Sequence, residues 1–313
     1  IVVPFEQPFF SFDDWFIGST VIKLGTLEEA SNYTLKFNYN DIDSLKKLFE
    51  EYPNQIAAVM LEPATTQSPC ADKCTKENNN CRGCSNIENN FLHQIRDLTK
   101  SNGTLMILDE MITGFRWNLN GAQSIYNIVP DLCTFGKAMA NGFAVAALGG
   151  KRDVMKLGGI EELGAERIFL TSTTHGAEMS ALGAFIKTVE ILKRDNVIEH
   201  YWTYGKKLKD GMNQIAEDLG IDDSFYVEGF PCSPSYITKD SNDIVSMSFR
   251  TLFAQEMIKS KILMPYIAIS FSHKEKELSM TLEAVKKALV IYKNALEQGI
   301  ENYLESDVIK PVF

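Results

Sequence analysis

Two apolar runs in this chain end in groups able to do chemistry. Residues 105–108 (LMIL) close on Asp109 and Glu110, and Leu132–Phe135 closes on Gly136 and Lys137. In an open α/β sheet, ligands bind just beyond the carboxyl ends of the strands. An acid closing one run and a lysine following the other can therefore face one pocket. A lysine amine becomes a nucleophile when partly desolvated, and it then forms Schiff bases with carbonyls. A buried carboxylate needs a cationic partner. Pyridoxal phosphate (PLP) supplies both complements, an aldehyde for the lysine and a protonated ring nitrogen for the aspartate.

The elements around these runs must position them. Residues 56–61 form a continuous apolar run, the pattern of a strand buried on both faces in a parallel sheet. It ends in Glu62-Pro63. An amphipathic helix is expected over 42–52, capped by Asn40 or Asp41, and another over 86–102, stopped by Asn102-Gly103. Residues 33–37 alternate as a short strand. Strand, helix, strand in that order predicts an α/β fold with a mostly parallel sheet. Further on, helices are expected over 177–193 and 197–219, with Arg194-Asp195-Asn196 as the entry to a smaller domain. That domain reads as loop and strand at 231–239, a helix at 249–260, a strand at 266–271 and a long helix at 274–296. The expected domains are 1–195 and 196–313.

Composition bounds the function. The chain has 313 residues, 45% of them hydrophobic, enough for a sizeable core. Its net charge is −10, which argues against nucleic-acid or anionic-membrane surfaces, where clustered Lys and Arg are needed. No apolar run approaches the length of a membrane-spanning helix. Residues 1–10 lack the basic start and small-residue cleavage site of a signal peptide, and a cytoplasmic location is expected. Residues 66–86 carry Cys70, Cys74, Cys81 and Cys84, spaced C-x3-C-x6-C-x2-C. Four thiolates on a polar loop suit tetrahedral zinc. Thiols or disulfides and an iron–sulfur cluster fit the same four residues, and the spacing does not choose among them.

The motifs DEMITGFR, GAQ, PDL and FGKAMANG, followed by GG, resemble those of the class III, fold type I, PLP-dependent aminotransferases. They are most similar to the glutamate-1-semialdehyde 2,1-aminomutase-like branch. The resemblance runs from about residue 9 to 289. It implies a three-layer α/β/α large domain of PLP fold type I and a smaller α+β C-terminal domain. It implies that Asp109 binds the pyridinium nitrogen and that Lys137 forms the internal aldimine. Met111 would pack on a ring face, where many members carry valine. Phe9 stands where an aromatic stacks on the ring; a hydrophobic strand and turn is the other reading of that segment. Thr173 matches a threonine that reaches the partner subunit's cofactor phosphate, which implies a homodimer. Glu62 would lie near the substrate or pair with an arginine. Arg116 is a substrate-carboxylate candidate or a conformational ion-pair partner, and Arg250 is a second candidate.

The resemblance also implies well over a hundred residues before Phe9, among them a phosphate-binding loop, so the large domain is expected to be N-terminally incomplete. A fragment, a separately supplied N-terminal half, or a remnant without activity would each account for that. The implied reaction moves an amino group from an amino donor to a small, sugar-like carbonyl acceptor. An intramolecular aminomutase, or a non-catalytic half of a split aminotransferase acting through association, are the alternatives.

Overall fold

A computed structural model describes residues 1–7, 24–25, 28–64, 67–71, 84, 87–159, 164, 166–168, 176 and 178–310. The chain divides into two compact units, Ile1–Asp195 and Asn196–Phe313.

The first unit is built on a six-stranded sheet. Its strands are β1 (Val2–Pro4), β2 (Leu35–Phe37), β3 (Ala58–Leu61), β4 (Leu105–Asp109), β5 (Leu132–Phe135) and β6 (Ala147–Gly150), in the order β2-β1-β3-β4-β5-β6. Every pair is parallel except β5–β6, which is antiparallel. All four residues of β3 are buried, as its unbroken apolar sequence requires of a strand covered on both faces.

Helices α1 (Ile42–Glu51) and α2 (Phe91–Ser101) carry the crossovers. Each starts on a side-chain cap that satisfies a free N–H of the first turn. The Ser44 N–H donates to Asp41 at 3.3 Å and the Leu92 N–H to Asn90 at 3.0 Å. Helix α1 buries Leu45 and Phe49, and α2 buries Phe91, Leu92 and Ile95. The second helix starts five residues later than its sequence suggests. The Phe91 N–H donates to the Cys70 carbonyl at 2.7 Å, so the segment before it serves as a loop anchor. Two short helices, α3 (Ala122–Ile125) and α4 (Arg152–Met155), precede the long α5 (Met179–Arg194).

The second unit packs α6 (Val197–Leu219), α7 (Met247–Lys259) and α8 (Glu275–Gln298) with an antiparallel hairpin, β7 (Phe225–Glu228) and β8 (Ser235–Thr238). Its core joins Leu208 and Met212 of α6, Phe225 of β7, Leu252 and Phe253 of α7, and Val285, Leu289 and Tyr292 of α8. Gly205 lies where α6 meets the 230–234 turn. A Cβ there would sit 1.7 Å from the Pro231 carbonyl oxygen, so only glycine permits that approach.

The strand expected at 266–271 does not form; that segment is irregular. Its apolar run satisfies hydrophobic packing without a ladder, with Ile269 only 3% exposed. The carbonyls before it are taken by a side chain: the Tyr236 hydroxyl lies 3.1 Å from the Met264 oxygen and 2.8 Å from that of Pro265.

Candidate active site

The parallel register brings three chemically capable strand ends to one edge of the sheet. Leu61 of β3 pairs with Leu108 of β4, and Asp109 pairs with Thr134 of β5. Glu62 and Asp109 therefore stand level, and Lys137 follows Thr134 by one short turn. Glu62 is partly buried, and its backbone is fixed by a buried glutamine. The Glu62 N–H donates to Gln7 Oε1 at 2.8 Å, and Gln7 Nε2 donates to the Glu62 carbonyl at 3.2 Å.

Asp109 is 9% exposed. Its Oδ1 accepts the Met111 N–H at 2.9 Å. Burial pushes its carboxyl above the usual range, while the Met111 N–H, the Lys137 ammonium and the Thr134 hydroxyl oppose that shift. A desolvated carboxylate facing a lysine will hold a hydrogen-bonding cation tightly, because little water competes.

Lys137 opens a 3-10 turn, Lys137–Met139, directly after β5. Its side chain is exposed and its backbone φ is +44°. That left-handed geometry is costly for a non-glycine residue, and such strain gathers at functional sites. Gly136, just before it, packs against the end of the Met111 side chain. A Cβ on residue 136 would lie 2.3 Å from Met111 Cε. The thioether thus fills the space beside the backbone that carries Lys137.

Glu110 has a different role from its neighbour. It is fully buried, and it accepts the Ala122 and Gln123 N–H groups at 2.8 Å each, together with the Thr113 hydroxyl. The carboxylate caps α3 and ties down the loop 111–121. Burial raises its carboxyl, and these donors counter that. Gly121, at φ +77°, makes this possible: a Cβ there would come within 2.5 Å of the Glu110 carboxylate.

Asp131 fixes the opposite end of β5. It pairs with Arg96 of α2 and with Lys151 after β6, at 2.5 Å each, and it accepts the Met106 N–H of β4 at 2.8 Å. Burial pushes this carboxyl up, but Arg96, Lys151 and the Met106 N–H outweigh it and hold the carboxyl at about 2. One side chain thus clamps one helix and three strands behind the edge that carries Asp109 and Lys137. Neither Glu110 nor Asp131 stands out in the sequence as a candidate. Only their partners, twelve to thirty-five residues away, give them their roles.

The remaining candidates are placed as follows. Arg116 is partly buried in the turn after Met111, its N–H on the Thr113 carbonyl at 3.3 Å. Arg250 spends its guanidinium within the second unit. It donates to the Tyr236 and Pro265 carbonyls at 3.2 and 2.9 Å and stacks 4.2 Å from the Tyr236 ring centroid. Phe9, Thr173, Cys74 and Cys81 lie outside the described residues. Cys70 is buried, with its thiol 3.8 Å from the Ser68 carbonyl oxygen, in a neck held by Asn40. Among the described residues no three His, Cys, Asp or Glu side chains gather as a metal site. The zinc reading of the four cysteines therefore finds no support here.

The donor set fits the ring of PLP. A buried carboxylate suits a protonated ring nitrogen, an amine on a strained turn suits the aldehyde, and an apolar thioether lies beside them. Comparisons with known proteins agree with this arrangement. Residues 16–223 match the family model for class-III aminotransferases. The chain is 30% identical over 290 residues to 3-aminobutyryl-CoA aminotransferase of Cloacimonas acidaminovorans (strain Evry), covering 92% of this chain and 65% of that one. It thus spans just under two thirds of the length of that curated relative. Among solved structures, the PLP internal aldimine form of the FumI protein of Sphingopyxis sp. MTA144 superposes with a TM-score of 0.74 at 20% identity, over 95% of this chain and 66% of that one. An omega-transaminase from Sphaerobacter thermophilus gives a TM-score of 0.75 at 20% identity, over 94% and 68%. These two likenesses show the fold, the α/β architecture of PLP fold type I. The chain belongs to the class III aminotransferase family.

Proposed function

We propose that this chain carries the catalytic lysine and the ring-binding carboxylate of a PLP-dependent aminotransferase. The observation that supports this most is the buried Asp109 carboxylate at the end of β4, level with Thr134 and electrostatically engaged with Lys137. Bound PLP would supply an electron-accepting ring and a reactive aldehyde carbon. Asp109 would keep the ring nitrogen protonated through a charge-assisted hydrogen bond. Lys137 would hold the cofactor carbon. Once released as a neutral amine, it would move the proton at the substrate Cα. Met111 would pack on a ring face. Phe9 and Thr173 are assigned ring stacking and phosphate binding on family resemblance. Glu62 is assigned to the substrate region on the same ground, and Arg116 to the substrate carboxylate or to an ion pair.

The substrates would be an amino donor and a small carbonyl acceptor. The relative named for 3-aminobutyryl-CoA supports an amino-acyl thioester as the amino donor rather than the sugar-like substrate class. A cytoplasmic homodimer is the setting in which we place it, and no helix among the described residues is long and apolar enough to cross a membrane. An intramolecular aminomutase remains the second enzyme reading, and a partner-dependent half the third.

The test is stoichiometric. The purified chain, loaded with PLP and mixed with amino donors one at a time, should convert cofactor to pyridoxamine phosphate, measured by chromatography after acid release. Lys137→Ala should form none. Conversion that proceeds equally in Lys137→Ala would overturn the assignment. Turnover of an amino aldehyde with no external donor would favour the aminomutase.

A further inference from the structure

We propose that Thr134 is a positioning residue for Asp109, its hydroxyl donating to the Asp109 carboxylate and holding that group ionised at the strand end. The inference rests on the reading of Asp109 as the partner of a protonated ring nitrogen, since only an ionised carboxylate keeps a ring proton in place.

Three observations carry it. Thr134 is the residue directly opposite Asp109 in the β4–β5 ladder. Its Oγ1 is buried and has no hydrogen-bond partner in the structure. A buried hydroxyl without an acceptor costs free energy, and such groups in folded proteins are nearly always satisfied. Asp109, finally, has acceptor capacity to spare. A carboxylate offers about four lone-pair sites, and the Met111 N–H uses one of them on Oδ1. A small shift of the Thr134 side chain that brings Oγ1 to the carboxylate would satisfy both groups and leave room for a ring N–H.

The electrostatic surroundings agree. Burial raises the Asp109 carboxyl, and the Thr134 hydroxyl is one of the three groups that oppose the rise. Lys137 is the charged group that faces Asp109. The Glu110 carboxylate is turned into the Ala122 and Gln123 amides. Arg96, Lys151 and Asp131 gather at the start of β5, against Met106. The Cys133 thiol, which burial keeps neutral, lies 3.6 Å from the Gly149 carbonyl oxygen on β6. Beside the Met111 N–H, the Thr134 hydroxyl is therefore the neutral side-chain dipole placed to hold the Asp109 charge.

The experiment titrates Asp109 in the cofactor-free chain. Carboxyl 13C signals of aspartate-labelled protein are followed against pH, and Asp109 is assigned by the resonance lost in Asp109→Asn. Thr134→Val keeps the side-chain shape and removes the hydroxyl. It should raise the Asp109 midpoint by about half to one pH unit, the size of one net hydrogen bond. Thr134→Ser should titrate with the wild type. Thr134→Ala serves as the second hydroxyl-free variant should the valine protein fail to fold. An unmoved midpoint in the hydroxyl-free variants overturns the proposal. So does a serine variant that shifts as far as valine, which would mark the lost methyl packing as the cause. No cofactor is present, so failure of the chain to bind PLP would sink the proposed function and leave this result standing.

Discussion

Asp131 offers a sharp test of what holds the site edge in register. In the structure its carboxylate accepts from Arg96, Lys151 and the Met106 N–H, and its carboxyl sits at about 2 against an unfolded value of 3.8. A difference of just under two pH units corresponds to roughly 2 to 2.5 kcal/mol of folding free energy. Its side chain is only 5% exposed, so solvent screening removes little of this. The sign follows from linkage. The folded carboxyl is the stronger acid, so the stabilisation is complete above about pH 5 and fades as pH falls from about 4 through 2. Asp131→Asn keeps the shape and removes the charge. It should lower unfolding free energy by about 2 kcal/mol at pH 7. The gap from wild type should narrow to roughly half to two thirds of that by about pH 3, and to less than half by about pH 2.5. Urea denaturation at fixed pH, read by tryptophan fluorescence in a chain whose Trp15 and Trp202 are replaced by phenylalanine so that the buried Trp117 reports, gives both numbers. A gap that stays constant from pH 7 to pH 3 would refute the ionic account and point to packing or hydrogen bonding alone.

Three further outcomes are expected. Gly136→Ala puts a methyl into the space of the Met111 thioether; PLP affinity should fall at least about tenfold by fluorescence titration, and Met111→Ala in the same chain should restore part of it. Glu110→Ala leaves the Ala122 and Gln123 amides buried without an acceptor; the cost should be about 2 to 4 kcal/mol of stability by chemical denaturation, with faster exchange of those two amide hydrogens. Gly205→Ala forces a carbon into the Pro231 carbonyl; the second unit should lose about 3 kcal/mol or more, read as lost amide protection in α6.

Much of this site could be read in the sequence, because its main signals are local. Apolar runs ending in an acid and in Gly-Lys identify β4 and β5, and the parallel pattern then brings their ends together. The structural carboxylates were not legible. Glu110 looks like half of an acidic pair until Gly121 and two amides close around it. Asp131 needs Arg96 and Lys151 brought to it by folding. Strand β6, with the sequence ALGG, lacks β-branched or aromatic residues, so nothing local announces it; its antiparallel pairing with β5 does. The run at 266–271 has strand-like composition, but side-chain contacts and a preceding proline use it as an irregular packing segment.

Borohydride reduction asks whether Lys137 is the residue that holds the cofactor carbon. The purified chain is mixed with PLP, reduced, digested and mapped by mass. One phosphopyridoxyl group per chain is expected, on Lys137 and absent from Lys137→Ala. Label spread over other lysines, or retained in Lys137→Ala, would contradict that assignment.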